Sequence, residues 1–210
     1  MPEQPTTQAR LVLATRNAGK LRELRALLRG KVPGLDVDTQ VVDAAAAGAP
    51  DVVESGTTFE ENALLKARAV AEATGLPAVA DDSGLAVDVL GGAPGIFSAR
   101  WAGRHGDDSA NLELLLNQLA DIPENRRAAQ FVCAAALAVP GGTEVVKRGE
   151  LRGSLLTEPR GDGGFGYDPL LQPEGMDRSC AELSPEEKNA ISHRARAFAD
   201  LLPELIDVLR

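Results

Sequence analysis

Apolar and polar positions along this chain alternate between two periods. Leu11 to Ala14 is a short apolar run cut off by polar and glycine residues, which predicts a buried strand delivering its C-terminal end to a loop. Leu21, Leu24, Leu27 and Leu28 then recur at helical spacing, with Gly30 placed to stop the helix. Leu35 to Val42 alternates apolar and polar residues, the pattern of a half-buried strand, and the Ala/Gly/Pro stretch to Pro50 reads as a loop. Thr58 with Glu61 three residues on forms a capping-box signature. Behind it Ala63, Leu64, Ala67, Val70 and Ala71 make an apolar stripe that Gly75 ends. After Pro77 the pattern predicts a strand reaching Ala80, a polar turn Asp81-Asp82-Ser83-Gly84, and a second strand Leu85 to Leu90. Gly91 to Gly95 reads as a loop, and Asn111 to Leu119 as a helix capped by Asp108. Ala128 to Val139 and Thr143 to Gly149 form a hairpin pattern joined at Pro140-Gly141-Gly142, followed by a glycine-rich loop, Gly161 to Gly166. Ser184-Pro185-Glu186-Glu187 starts the last long helix, which Pro203 is expected to bend or restart.

Strands mixed with helices, including at least one hairpin, point to α/β layers around a mixed sheet. A chain of 210 residues with 44% hydrophobic content can bury one substantial core, so residues 11–210 are read as a single domain and 1–10 as a loose tail. Net charge changes the choice of partner. At −9 the chain lacks the basic footprint of a nucleic-acid binder, and any polyanion it holds must be small and met by local cations or a metal. Two separated cysteines, Cys133 and Cys180, give no Cys-x-x-Cys site and fit a cytoplasmic protein with incidental thiols. No apolar run approaches the length of a bilayer span, which argues against a membrane partner.

Several familiar motifs fail on inspection. Gly19-Lys20 lacks the first glycine and the Ser/Thr of a Walker loop, with Ala14 and Leu21 in their places. Gly161, Gly163 and Gly166 match the spacing of a dinucleotide fingerprint, but Tyr167-Asp168-Pro169 follows where a helix should begin. Other segments carry usable chemistry. Asn17 to Lys20 lies between a strand end and a helix N-terminus, where free N–H groups favour a phosphate; equally, Asn17 is a plain cap and Lys20 a solvated cation. Asp81 and Asp82, with Glu54 in a second polar loop, offer hard oxygen ligands suited to magnesium, although carboxylates in such places often only shape turns. Phe165 and Tyr167 stand out in a chain with 3% aromatics and offer a stacking surface for a base. Lys188, His193 and Arg194 lie on the C-terminal helix, where cations are commonly just solvated.

Taken together and in order, Thr15-Arg16-Asn17-Ala18-Gly19-Lys20, Glu54 to Ala63, Asp81-Asp82-Ser83-Gly84-Leu85, Gly91-Gly92-Ala93-Pro94-Gly95, Phe165-Gly166-Tyr167-Asp168-Pro169 and Ser192-His193-Arg194 resemble the inosine triphosphate pyrophosphatase (HAM1-like) family. The resemblance implies an elongated two-lobed α/β fold around a long mixed twisted sheet, with the active cleft between lobes, a Mg²⁺ ion and a homodimer. It implies hydrolysis of non-standard purine nucleoside triphosphates (ITP, dITP, XTP) to the monophosphate and pyrophosphate, which cleanses the nucleotide pool. Carried over by motif, Thr15, Arg16, Asn17, Ala18, Gly19 and Lys20 bind the triphosphate. Ser83, Phe165, Gly166, Tyr167, Asp168, Lys188, His193 and Arg194 complete the nucleotide site. Asp82 is the catalytic proton acceptor and a metal ligand, with Glu54 the second metal carboxylate. Arg16 departs from the small residue common at its place, and Leu171 stands where an aromatic is frequent. Acting as direct ligand and as base are competing duties for Asp82, so Asp81 and Glu54 stay open as alternative bases. Two rivals remain: a pyrophosphatase for modified pyrimidine triphosphates, and a nucleotide sensor that no longer hydrolyses.

Overall fold

A computed structural model describes residues 9–15 and 17–210, so residues 1–8 of the expected tail, and Arg16, lie outside the described residues. Its frame is a six-stranded mixed sheet in the order β2-β1-β3-β4-β5-β6. Strand β1 (Leu11–Leu13) runs parallel to β2 (Val41–Asp43) and to the start of β3 (Ala78–Val87), while β4 (Ala128–Ala138), β5 (Glu144–Leu155) and β6 (Leu171–Pro173) continue antiparallel. Among the described residues no helix is long and apolar enough to cross a membrane.

Side-chain alternation sorts the sheet into two faces. Leu11, Leu13, Val79, Cys133 and Leu137 meet the apolar stripes of α1 (Ala18–Leu28) and α6 (His193–Leu209). On the opposite face Val12, Ala78, Ala80, Ala134 and Ala136 receive Ala63, Ala67, Val70 and Ala71 of α3 (Phe59–Thr74). A third cluster forms at the far ends of the long strands, where Leu85, Val87, Phe131 and Leu151 pack against Leu115 and Leu119, next to α4 (Asp108–Gln118). Two packed lobes thus share three continuous strands. Because β1 pairs with β3 only at Val12↔Ala78 and Leu13↔Val79, the edge of β3 beyond Val79 has no strand beside it. A cleft opens there, between the lobes.

Five expectations change. Asp81 to Gly84 is no turn: β3 runs unbroken through it because β4 supplies a ladder partner at every position, from Asp81↔Ala135 to Gly84↔Val132. Leu85 to Leu90 is correspondingly not a separate strand, since β3 ends at Val87 and Asp88–Leu90 forms a 3₁₀ turn. Leu35 to Val42 is half helix. Asp36 accepts hydrogen bonds from the Asp38 amide (3.0 Å) and the Thr39 hydroxyl (2.7 Å), capping α2 (Val37–Gln40) before β2 begins. Asp107, rather than Asp108, caps α4, which starts three residues earlier than expected. The last helix is two. Ser184 caps α5 (Pro185–Ile191) as read, but Ser192 then caps α6 through the Ala195 amide (3.0 Å), and α6 continues through Pro203 because Phe198, Leu201, Leu205 and Leu209 are buried on both sides of it.

Candidate functional site

The cleft has a volume of about 540 Å³ and collects residues from the segments 15–20, 81–85, 165–168 and 193–194 singled out in the sequence, together with Glu54, while 91–95 stays outside it. Period-two alternation governs its chemistry: consecutive residues of β3 point to opposite faces, so Asp81 and Asp82 are neighbours in sequence that serve different halves of the site.

Asp81 faces α1 and α6. Its Oδ2 lies 3.2 Å from Lys20 Nζ, and accepts from Arg194 Nε and Nη2, both at 3.2 Å, and from the Ser83 hydroxyl at 2.7 Å. Burial pushes this carboxyl upward, but Lys20, Arg194, Lys66 and the Ser83 hydrogen bond outweigh it and hold it far below the usual carboxylate range. Lys20 is therefore engaged in an ion pair, not simply solvated. Asn17 caps α1, accepting from the Lys20 amide at 3.0 Å, and it also lines the cleft with Thr15. Glu23, one turn along α1, pairs with Arg194 and with Lys188 (3.1 Å).

The base-stacking candidates separate. Phe165 faces the cleft with Lys188 Nζ 4.9 Å and Arg194 Cζ 5.8 Å from its ring centre. Tyr167 is buried and its hydroxyl donates to the Ser98 carbonyl (2.9 Å), anchoring the loop. Asp168 tightens the same loop by accepting from the Phe165 amide (2.8 Å) and Lys188 (2.7 Å). Gly164 makes this possible: its φ is +72°, and a Cβ there would collide with the Asp168 carboxylate. Asp108, released from capping, accepts from the Gly166 amide at 2.8 Å. Gly19 contributes by its lack of a side chain, since a Cβ would stand 3.3 Å from the Phe165 ring. His193 stacks on Phe131 with centroids 5.1 Å apart; burial, then the charges of Arg194 and Lys188, lower its pKa well below 6.5 and keep it neutral.

Asp82 faces α3. There Lys66 Nζ bridges Glu54 Oε1 (2.6 Å) and Asp82 Oδ1 (3.3 Å), while Asn62 donates to Asp82 Oδ2 at 3.3 Å. Asn62 also accepts from the Gly56 amide (2.8 Å), which ties the Glu54 loop to the helix. Burial raises the Asp82 pKa, with Lys66 and Lys20 opposing it and Glu54 and Asp81 reinforcing it. Glu54 is shifted the other way. Burial alone would raise it, but Lys66, Lys20 and Arg100 lower it overall. Two carboxylates aimed at one cationic point fit Mg²⁺, which takes one or two protein carboxylates and completes its shell with water and phosphate oxygens. Among the described residues no group of three or more His, Cys, Asp or Glu forms a closed metal cage.

Sequence reading had missed Glu23, Asn62, Lys66, Ser98 and Arg100. A signal existed for one of them: Asn62 interrupts the apolar stripe between Phe59 and Ala63 and is fully buried, which is costly unless it is hydrogen-bonded.

The profile of the Ham1 family matches residues 11–204. The chain is 66% identical over 200 residues to a dITP/XTP pyrophosphatase of Streptomyces avermitilis, covering 95% of this chain and 98% of that protein. A HAM1 protein from Coxiella burnetii superposes with a TM-score of 0.83 at 40% identity, covering 95% of this chain and 99% of that one. A nucleoside-triphosphatase / dITP/XTP pyrophosphatase from Mycobacterium abscessus gives a TM-score of 0.73 at 52% identity, with 92% and 99% covered.

Proposed function

The chain belongs to the Ham1 family, and from that premise we propose that it hydrolyses ITP, dITP and XTP to the nucleoside monophosphate and pyrophosphate, with Mg²⁺, in the cytoplasmic nucleotide pool. The observation that carries this reading is the division of labour on β3. Asp81 organises cations beside an aromatic stacking surface, and Asp82, on the opposite face of β3, joins Glu54 and Lys66 in the same cleft. A nucleotide with its base near Phe165 has its phosphates near Lys20 and Asp82. Glu54 and Asp82 are the residues that would hold Mg²⁺, which when bound would neutralise charge on the phosphate oxygens.

Of the three candidate bases, Asp82 is favoured. Asp81 is tied to Lys20 and Arg194 and shifted far down, and Glu54 is also lowered, so both are weak proton acceptors. Burial raises the affinity of Asp82 for a proton, opposite in direction to Asp81 and Glu54; because a metal-bound carboxylate is a weaker base, this role has Asp82 meet the metal through water. It accepts a proton from water attacking the α-phosphorus, and Lys20 and Lys66 offset the charge on the phosphates.

Initial rates on ITP, dITP, XTP, ATP, GTP and modified pyrimidine triphosphates, with and without Mg²⁺ and with pyrophosphate detection, test the reading. Release of pyrophosphate from the deaminated purines, dependent on Mg²⁺, is expected. Preference for a pyrimidine, or binding of ITP without turnover, would favour one of the two rivals.

Base selection follows from donor supply. Arg194 has five N–H groups, and its bonds to Asp81, Glu23 and Ser83 engage four, leaving one on Nη1 for an acceptor at the purine 6-position. Adenine presents an amino donor there, and a site of this kind discriminates by roughly 10⁴-fold. Arg194→Ala will lower activity on every substrate, because Asp81 loses a partner, but it will lower ITP turnover more than ATP turnover. An unchanged ITP-to-ATP ratio would make Arg194 a structural residue only. The family also implies a homodimer, to be checked by light scattering; a monomer at working concentration rejects it.

A further inference from the structure

The cations lining the cleft are not equivalent. Lys20 is paired with Asp81, Lys66 with Glu54 and Asp82, Lys188 with Asp168 and Glu23, and Arg194 with Asp81 and Glu23. Arg100 lines the same cleft and, among the described residues, makes no ion pair and no side-chain hydrogen bond. Its guanidinium instead lies 5.3 Å from the centre of the half-exposed Phe97 ring. That contact orients the group without neutralising it, and it leaves the N–H donors at the edge of the plane available.

The position is rigid. Arg100 ends the 3₁₀ segment Gly95–Arg100, which Ser98 pins to β3 by accepting from the Leu85 amide (2.9 Å) while donating to the Gly95 carbonyl (2.6 Å). Gly84 permits this approach, since a Cβ there would stand 2.5 Å from Ser98 Oγ. The Ser98 carbonyl is also the acceptor for Tyr167, so the segment is held both by β3 and by the 165–168 loop. Arg100 lines the cleft together with Glu54 and Lys66, and its charge helps depress the Glu54 carboxyl.

We propose that Arg100 binds the terminal phosphates of the substrate, the pair that leaves as pyrophosphate. This rests on the pyrophosphohydrolase reading and adds a residue to it. A cation already held by a carboxylate must give up part of that interaction to meet a phosphate, whereas an unpaired guanidinium gains bidentate, charge-assisted hydrogen bonds at little cost. With Lys20 and Lys66 assigned to the reacting phosphate, an arginine of the same cleft that carries no ion pair among the described residues completes the grip on a triphosphate and distinguishes it from a monophosphate.

The test is calorimetric titration of the full-length protein with magnesium pyrophosphate and, separately, with inosine monophosphate. For Arg100→Ala the pyrophosphate affinity is expected to fall roughly 10- to 100-fold, with inosine monophosphate affinity changed by less than about twofold. Arg100→Lys keeps a charge but not the fork, and is expected to recover part of the loss. Pyrophosphate affinity unchanged in Arg100→Ala, or an equal loss for both ligands, would overturn the assignment. Failure of the pyrophosphohydrolase reading registers separately, as wild-type protein that releases no pyrophosphate, and leaves the calorimetric comparison able to decide Arg100.

Discussion

Asp82→Asn is expected to lower turnover of inosine triphosphate by roughly 10²- to 10⁴-fold while the protein stays folded. The substitution keeps the shape of the side chain and removes its charge and its capacity to take a proton. Stability changes little because Lys66 retains Glu54 at 2.6 Å, so no buried cation is left alone. Loss of a metal ligand adds a second signature: the Mg²⁺ concentration needed for half-maximal rate should rise. Glu54→Gln is expected to raise the Mg²⁺ requirement too, with a smaller fall in the rate at saturating metal, since Glu54 is assigned no proton transfer. A near-normal rate in Asp82→Asn at saturating Mg²⁺ would remove Asp82 from the mechanism and return the role of base to Glu54 or to a water held by the phosphates.

What could be read along the chain and what could not divides by the range of the interactions involved. The Thr58 cap and the Ser184 capping box are decided within four residues, and both helices start where the sequence places them, although Glu61 accepts from the Thr57 amide and not, as a full capping box at Thr58 requires, from that of Thr58. The strand, polar turn and helix from Leu11 to Leu28 are equally local. Asp81-Asp82-Ser83-Gly84 is a turn by composition alone, and only the ladder with β4, about fifty residues away, makes it the middle of a strand. Asp108 shows the reverse case. By local rules it is a fair cap, but its carboxylate serves the Gly166 amide, 58 residues on in the chain, and leaves the cap to Asp107.

Residues that sit in motifs, such as Lys20, Glu54, Asp82, Phe165 and Arg194, could be picked out along the chain and meet in one cleft. Lys66 and Glu23 sit on the polar margins of amphipathic helices, where a charge is ordinarily solvated, and only the packing of α3 and α1 against the sheet shows what they face. The adjacency of Asp81 and Asp82 also misled: two consecutive carboxylates read as one metal site, whereas a strand sends them to opposite faces.

That separation makes Asp81 the more damaging position for stability. Its side chain has 0% exposure, and its Oδ2 accepts from Ser83 and meets both Lys20 and Arg194. Asp81→Asn removes the negative charge and leaves Arg194, itself 2% exposed, with Glu23 as its remaining carboxylate. Breaking one side of a buried pair in this way costs about 3–5 kcal/mol. For a chain of this size that corresponds to a fall in Tm on the order of 10 °C. The pH dependence separates charge from packing. The folded pKa is depressed below the ordinary 3.8, so the stabilisation is fully present above the unfolded value and fades as pH falls below about 4 towards the lower folded value. The difference in unfolding free energy between wild type and Asp81→Asn should therefore be constant from pH 8 to about 5 and shrink below 4. A difference that persists undiminished in acid would mean that Asp81 acts through shape and hydrogen bonding, and that Lys20 and Arg194 do not depend on its charge. Because Arg194 and Lys20 both reach the cleft, the same variant should also lose affinity for nucleotide at neutral pH, even though Asp81 donates nothing to the reaction itself.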